Sequence, residues 1–225
     1  MAVCGPGGMG KTALAAQAVD KLYKLEPDRF PDGIVSHTFY HQPQTDMALQ
    51  SIAKTFDIKP EPTLEAAVRI ALAGKKILLF LDGTEEADDL KAVRDDLRSS
   101  TWSVLITSRK RTDAQKLRLD LKPLENKVAE DVFCEYSGSA ADDSGVQGIC
   151  KILDGWPVGL RIAGRYLCTT GESTADYLRW LEKEPFKKLV EADGRHQEEN
   201  ATLLLQRSVS QVSKNARLAL GIIGA

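Results

Sequence analysis

The chain has 225 residues, 43% hydrophobic and 28% charged, which suits one large or two small globular domains with cores of their own. Its 30 basic and 32 acidic residues leave a net charge of −2, so there is no strong basic field for non-specific nucleic-acid binding. No apolar run approaches the roughly 20 residues of a membrane span, and with Met1 so close to the first motif no signal peptide is expected.

Met1-Ala-Val-Cys4 is a short apolar lead that reads as a strand end. Gly5-Pro6-Gly7-Gly8-Met9-Gly10-Lys11-Thr12 then matches G-x-x-x-x-G-K-[ST], the phosphate-binding P-loop. Glycines let successive N–H groups turn into one hollow, and the positive end of the next helix adds to its pull on phosphate. Lys11 supplies a point charge, and the Thr12 hydroxyl is placed to ligate Mg²⁺. An ordinary glycine-rich turn is the plainer reading, but strand, loop and helix come in the order the motif requires. The helix is expected from Thr12 to Leu25, with Leu14, Ala18, Leu22 and Leu25 on one stripe.

Phe30-Pro-Asp-Gly33 marks a turn before the β-rich run Ile34–Tyr40. Asp46 to Phe56 has helical spacing, with Leu49, Ile52 and Ala53 on one face. After a Pro-rich break at Lys59–Pro62, a second helix is expected from Thr63 to about Ala73, ending at Gly74. Lys76-Ile-Leu-Leu-Phe-Leu-Asp82 is continuously apolar up to its last residue, as a strand buried on both faces would be. An Asp at that end sits on the rim where open α/β sheets bind ligands, and reads as the Walker B aspartate that orients Mg²⁺. Taken alone, an Asp beginning a turn is the competing reading. Gly83 follows, where many P-loop ATPases carry a second acid. Glu85 or Glu86 would have to reach instead, unless both are solvated turn residues; slow hydrolysis and long nucleotide retention are expected.

Trp102–Arg109 reads as another strand with polar residues at the same edge. Arg109 is either a reader of the γ-phosphate or a surface residue of the basic stretch Arg109-Lys-Arg111, and spacing alone favours the surface. Lys116–Leu121 alternates and reads as a short strand.

The second half reads as helical. Val128, Val132 and Tyr136 share a stripe, as do Val146, Ile149, Cys150 and Leu153, and then Leu160, Ala163, Gly164 and Leu167. Pro157 suits a helix start, and Ser173-Thr-Ala-Asp176 caps a fourth helix carrying Tyr177, Leu178 and Leu181. The four would form a small bundle, with Tyr177 and Trp180 given no ligand role. Residues 184–198 read as a charged linker with a solvated His196, and Ala201–Val212 and Lys214–Ile223 as two further helices. His37, in a strand, and His41 show no metal spacing. Cys4, Cys134, Cys150 and Cys168 lack C-x-x-C spacing and are expected to be reduced core residues of a cytosolic protein. The short lead before the P-loop and the apolar run at Leu218–Ala225 suggest a segment of a longer protein.

In this order the motifs resemble the NB-ARC group of STAND ATPases, nucleotide switches of apoptosome scaffolds, plant immune receptors and microbial signalling proteins. Besides the P-loop, the resemblance rests on Phe30–Gly33, the Walker B strand Lys76–Asp82 and the sensor-like Leu105-Ile-Thr-Ser-Arg109. Leu121-Lys-Pro-Leu124 and Gly155-Trp-Pro-Val-Gly-Leu160, similar to the family's G-L-P-L-A-L, complete it. The resemblance implies an α/β P-loop NTPase fold: a five-stranded parallel sheet with helices on both faces, the sensor strand between the P-loop and Walker B strands. An all-α bundle would follow. Implied domains are 1–120 for nucleotide binding, 121–183 for the bundle, a linker at 184–198, and the start of a truncated winged-helix domain at 199–225.

By the same resemblance Gly5, Gly7, Gly8, Met9, Gly10, Lys11, Thr12 and Ala13 hold ATP or ADP, and Pro157 lies against the adenine. Thr12 and Asp82 fall on Mg²⁺ positions, Arg109 becomes the sensor arginine, and Lys11, Asp82 and Arg109 are the catalytic set. The implied function is a cytoplasmic ATP/ADP switch and slow ATPase, with sensor and effector domains outside this segment and homo-oligomerisation on activation. No membrane and no direct nucleic-acid partner are expected. Gly83, Trp156 and Gly159 depart from the family pattern, and its His-Asp motif lies beyond this C-terminus. Alternatives are an ATP-dependent nucleic-acid protein (an AAA+-like loader or a STAND transcription regulator) and a P-loop small-molecule kinase. The kinase would need an Arg-rich lid that the helical half does not show. Guanine is disfavoured because no N-K-x-D-like base reader is present.

Overall fold

The computed structural model describes residues 1–59, 61–91, 102–114, 117–186 and 195–211. The chain divides into two compact units: Met1–Gly5 with Gly10–Leu121, and Pro6–Met9 with Lys122–Ala225.

The first unit is built on β1 (Ala2–Cys4), β2 (Ile34–Thr38), β3 (Leu78–Asp82), β4 (Ser103–Ser108) and β5 (Arg118–Asp120). They form one five-stranded parallel sheet in the order β2-β3-β4-β1-β5, so the sensor-like strand β4 lies between β3 and β1. Ala2 pairs with Ile106, which pairs with Leu81, giving an apolar row across three strands. That row continues into a core with Leu49, Ile52 and Ala53 of α2 (Thr45–Thr55) and Val68 of α3 (Leu64–Ala71). Thr63 starts α3 by accepting the Ala66 N–H at 3.3 Å. Leu78, Leu79, Leu81 and Asp82 are all buried, so β3 is covered on both faces.

Helix α1 (Lys11–Leu25) shows its faces differently from expectation. Leu14, Ala18 and Leu25 are exposed; the inward line is Lys11 and Ala15, followed by half-buried Val19 and Leu22. The P-loop lysine fixes the helix's rotation, and the leucines follow from that rather than setting it.

The second unit holds α4 (Asn126–Ser137), α5 (Ser144–Ile152), α6 (Pro157–Thr170), α7 (Thr174–Leu181) and α8 (Arg195–Ser210). Asp143 caps α5 through the Gly145 N–H at 2.8 Å, and Ser173 caps α7 through the Asp176 N–H at 3.1 Å. The stripes of α5 and α6 are buried where expected: Val146, Ile149, Cys150 and Leu153, then Leu160, Ala163, Gly164 and Leu167. On α4 the inward residues are Ala129 and Phe133, and Val128 is exposed; the largest apolar side chain, not the valines, sets the face.

Helix α8 begins at Arg195, inside the stretch read as a linker and six positions before Ala201. Gln197 and Asn200 are buried and His196 is half-buried, so the first turn packs although its composition is polar. The helix expected over Lys214–Ile223 lies outside the described residues. Cys4 and Cys150 are buried, Cys134 is intermediate and Cys168 is exposed, which corrects the reading of all four as core residues; all are free thiols.

Candidate functional site

Strand β1 runs straight into the P-loop. Gly5 N–H donates to the Ser108 carbonyl at 3.2 Å, tying the loop's first residue to β4. Gly10, in the left-handed region at φ 86, is the N-cap of α1. No side chain caps this 15-residue helix and no acid lies in its first turn, so the protein offers little to offset its positive end. Lys11 is buried. Burial lowers its ammonium below the ordinary lysine value and Arg109 adds to that, while Glu85 and Asp82 oppose it. Thr12 and Ala13 are exposed on the same first turn.

Asp82, buried at the end of β3, is the hub of a hydroxyl web. Its Oδ1 accepts from Thr12 Oγ1 at 2.7 Å and from Thr107 Oγ1 at 2.6 Å, and its Oδ2 from Thr38 Oγ1 at 3.5 Å. Thr107 Oγ1 in turn accepts the Gly83 N–H at 2.9 Å, which fixes the chain just past Asp82. Thr12 and Asp82 thus converge on one spot from α1 and β3. Both are hard oxygen donors, and a hydroxyl beside a carboxylate is a donor set that suits Mg²⁺.

Next to this web lies an acid–base cluster. The turn Thr84–Glu86 after β3 directs Glu85 inward and leaves Glu86 exposed, so the reading of both as solvated is corrected for Glu85. Glu85 Oε1 lies 3.1 Å from Arg109 Nε and accepts from the Tyr40 hydroxyl at 3.2 Å. Its Oε2 accepts the Arg109 backbone N–H at 3.1 Å, and Lys110 Nζ donates to its carbonyl at 2.8 Å. Arg109 is half-buried at the end of β4 and is not a bare surface arginine. The Tyr40 phenol is pushed up to about 12, first by burial and then by Glu85.

In the second unit, Pro6–Met9 of the loop sit with the Gly155–Leu160 turn. Trp156, fully buried, donates its indole N–H to the Gly7 carbonyl at 3.0 Å, and Val158 N–H donates to the Gly8 carbonyl at 3.3 Å. A Cβ on Gly8 would lie 2.7 Å from Trp156 Nε1, so only glycine allows this approach. Pro157 is the first residue of α6 and half-buried, and Met9 is buried.

Sequence reading did not assign Thr107, Tyr40 or a role for Trp156. Thr107 lies within the sensor-like stretch Leu105–Arg109, and Trp156 departs from the family pattern. Tyr40 carried no signal, because its partner Glu85 comes from a different turn.

The NB-ARC domain model matches residues 1–141. No curated protein matches the chain. Among solved structures, the chain is similar to Cdc6p from Pyrobaculum aerophilum (18% identity, TM-score 0.53, covering 79% of this chain and 55% of that one). It is also similar to the ORC2 protein of Aeropyrum pernix, solved in ADPNP–ADP complexes (13%, TM-score 0.55, 81% and 61%). A third likeness is to the Thermotoga maritima RuvB Holliday junction branch migration motor (13%, TM-score 0.51, 98% and 73%). The chain therefore spans less than two thirds of the first two proteins, and at these identities the likeness is one of fold. Motifs, sheet order and the match over residues 1–141 agree: the chain belongs to the NB-ARC domain family.

Proposed function

We propose that this NB-ARC domain is the ATP/ADP switch of a STAND-type signalling protein, a slow Mg²⁺-dependent ATPase at most. The observation that carries this reading is the 2.7 Å hydrogen bond from Thr12 to Asp82, which joins the two expected Mg²⁺ positions beside buried Lys11. In this reading the loop from Gly5 to Gly10, with Ala13 at the helix start, cradles the phosphates through backbone N–H groups. Lys11 binds the β- and γ-phosphates, and Arg109 meets the γ-phosphate. Pro157 lies against the adenine. Thr12 and Asp82 hold Mg²⁺, which when bound neutralises phosphate charge. Mg²⁺ usually keeps several waters and takes phosphate oxygens, so two protein donors suffice here. Gly83 leaves the usual second-acid position empty of a carboxylate, which supports slow turnover.

The division near residue 121, a winged-helix domain begun within 199–225, and sensor and effector domains outside this chain belong to the same proposal. So do homo-oligomerisation on activation and a cytoplasmic location. No described helix is long and apolar enough to cross a membrane. The test is calorimetric titration of Mg-ADP and of a non-hydrolysable ATP analogue. The chain is expected to bind both, and Lys11→Ala to weaken both by about 100-fold or more, as loss of a buried charge-assisted contact predicts. Equal affinity in Lys11→Ala would reject the P-loop as the binding site.

A further inference from the structure

Gly83 and Glu85 are linked through Tyr40. A Cβ on Gly83 would lie 2.8 Å from Tyr40 Cε2 and 2.9 Å from its Cζ, so the space a second acid would need is filled by the Tyr40 ring. The Tyr40 hydroxyl reaches past it to Glu85. The next acid after Asp82 is Glu85, which the turn after β3 aims at Arg109 rather than outward. The Glu85 side chain is only 4% exposed, and it binds Arg109 twice, at the guanidinium and at the backbone N–H. Arg109 also stands over the Tyr40 ring, 6.0 Å from its centroid.

Resting on the ATP/ADP reading above, we propose that Glu85 is the residue by which this site discriminates diphosphate from triphosphate. It occupies Arg109, and a γ-phosphate gains that arginine only by displacing a carboxylate already bound to it. A diphosphate needs Lys11 and the loop but not Arg109, and leaves the pair intact. A triphosphate brings a second negative group to the same cations at close range, where like charges compete most strongly. The site is thereby biased toward the diphosphate. The Glu85 oxygens already receive three protein donors, an arrangement suited to holding Arg109 more than to orienting an attacking water.

The test is titration of the full chain with Mg-ADP and with a non-hydrolysable Mg-ATP analogue, comparing wild type, Glu85→Gln and Tyr40→Phe. Glu85→Gln keeps the shape and removes the charge. It is expected to raise triphosphate affinity about tenfold while leaving ADP within about twofold, a coupling of ordinary allosteric size. Tyr40→Phe, which loses one hydroxyl, is expected to shift the ratio in the same direction by about threefold, and it decides the matter if Glu85→Gln does not fold. An equal change for both nucleotides would make Glu85 merely structural. Unchanged triphosphate affinity with lost ATP turnover would make it a water-orienting acid; either result overturns the proposal. If wild type binds neither nucleotide, the ATP/ADP reading itself falls. If it binds both and only the ratio fails to move, that reading stands and the Glu85 proposal alone is rejected.

Discussion

Gly83 lies against the Tyr40 ring, so a side chain at position 83 would meet that ring at the edge of β3. Gly83→Asp would restore the second acid in sequence. It also places a Cβ against the Tyr40 ring at a backbone φ of +71. The substitution is expected to destabilise the chain by about 1–3 kcal/mol from strain and overlap. Combining it with Tyr40→Ala should recover part of that loss, a non-additivity that thermal or denaturant unfolding of the four variants would measure. Additive effects would mean that the ring and the new side chain avoid each other. At this scale the sequence was legible where a motif fixes the backbone. The positions of Lys11, Thr12 and Asp82 were readable from the P-loop pattern and the apolar run that ends in an acid, and the structure brings Thr12 and Asp82 into contact. Glu85, Tyr40 and Thr107 were not legible, because their roles depend on which turns meet at the sheet edge. No local pattern records that meeting.

Among the elements, α8 shows how packing overrides composition. Its first turn is Arg195-His-Gln-Glu-Glu199, which reads as a solvated linker, yet Gln197 and Asn200 are buried. The helix is held through Arg207, whose guanidinium lies over the rings of Trp180, Tyr177 and Tyr166 at 4.2, 5.3 and 5.4 Å from their centroids. Arg207 also pairs with Glu172, which accepts from the Tyr166 hydroxyl at 2.7 Å. A half-buried cation–π contact together with a half-buried ion pair gives Arg207→Ala an expected cost of roughly 1–2 kcal/mol. Hydrogen exchange along Arg195–Ser210 should show protection falling by that amount; unchanged protection would mean that α8 is held by Leu204 and its other apolar contacts. Element identity was mostly readable; phase was readable on α2, α5 and α6 but not on α1 and α4. The periodic leucines of α1 and valines of α4 suggested faces that Lys11 and Phe133 override, because a single obligatory inward residue sets the rotation of a whole helix.

For the molecule as a whole, stability should depend on pH through His37. It is buried on β2, facing the Ser51 hydroxyl at 3.2 Å and the Gln42 carbonyl at 3.3 Å. Burial lowers its pKa below 6.5, with the Gln42 carbonyl opposing. The unfolded chain therefore takes up the proton first, so the stabilising contribution is present above about pH 6.5 and is lost as pH falls from there toward the folded-state value. The melting temperature is expected to drop between about pH 7.5 and 5.5, and His37→Gln to flatten that slope; an equal slope in the variant would assign it to other groups. The sheet order, by contrast, was foreseen only through family resemblance, since parallel strands leave no record in the sequence of which neighbours they choose. That order also bears on how the chain is made. Strand β1, which opens the P-loop, precedes the other four strands in the chain, yet both its neighbours come late: Val3 pairs with Thr107 on one side and Leu119 on the other. Closing so wide a loop is entropically slow. A nascent chain that stops short of β4 therefore carries the P-loop residues without the two strands that flank β1.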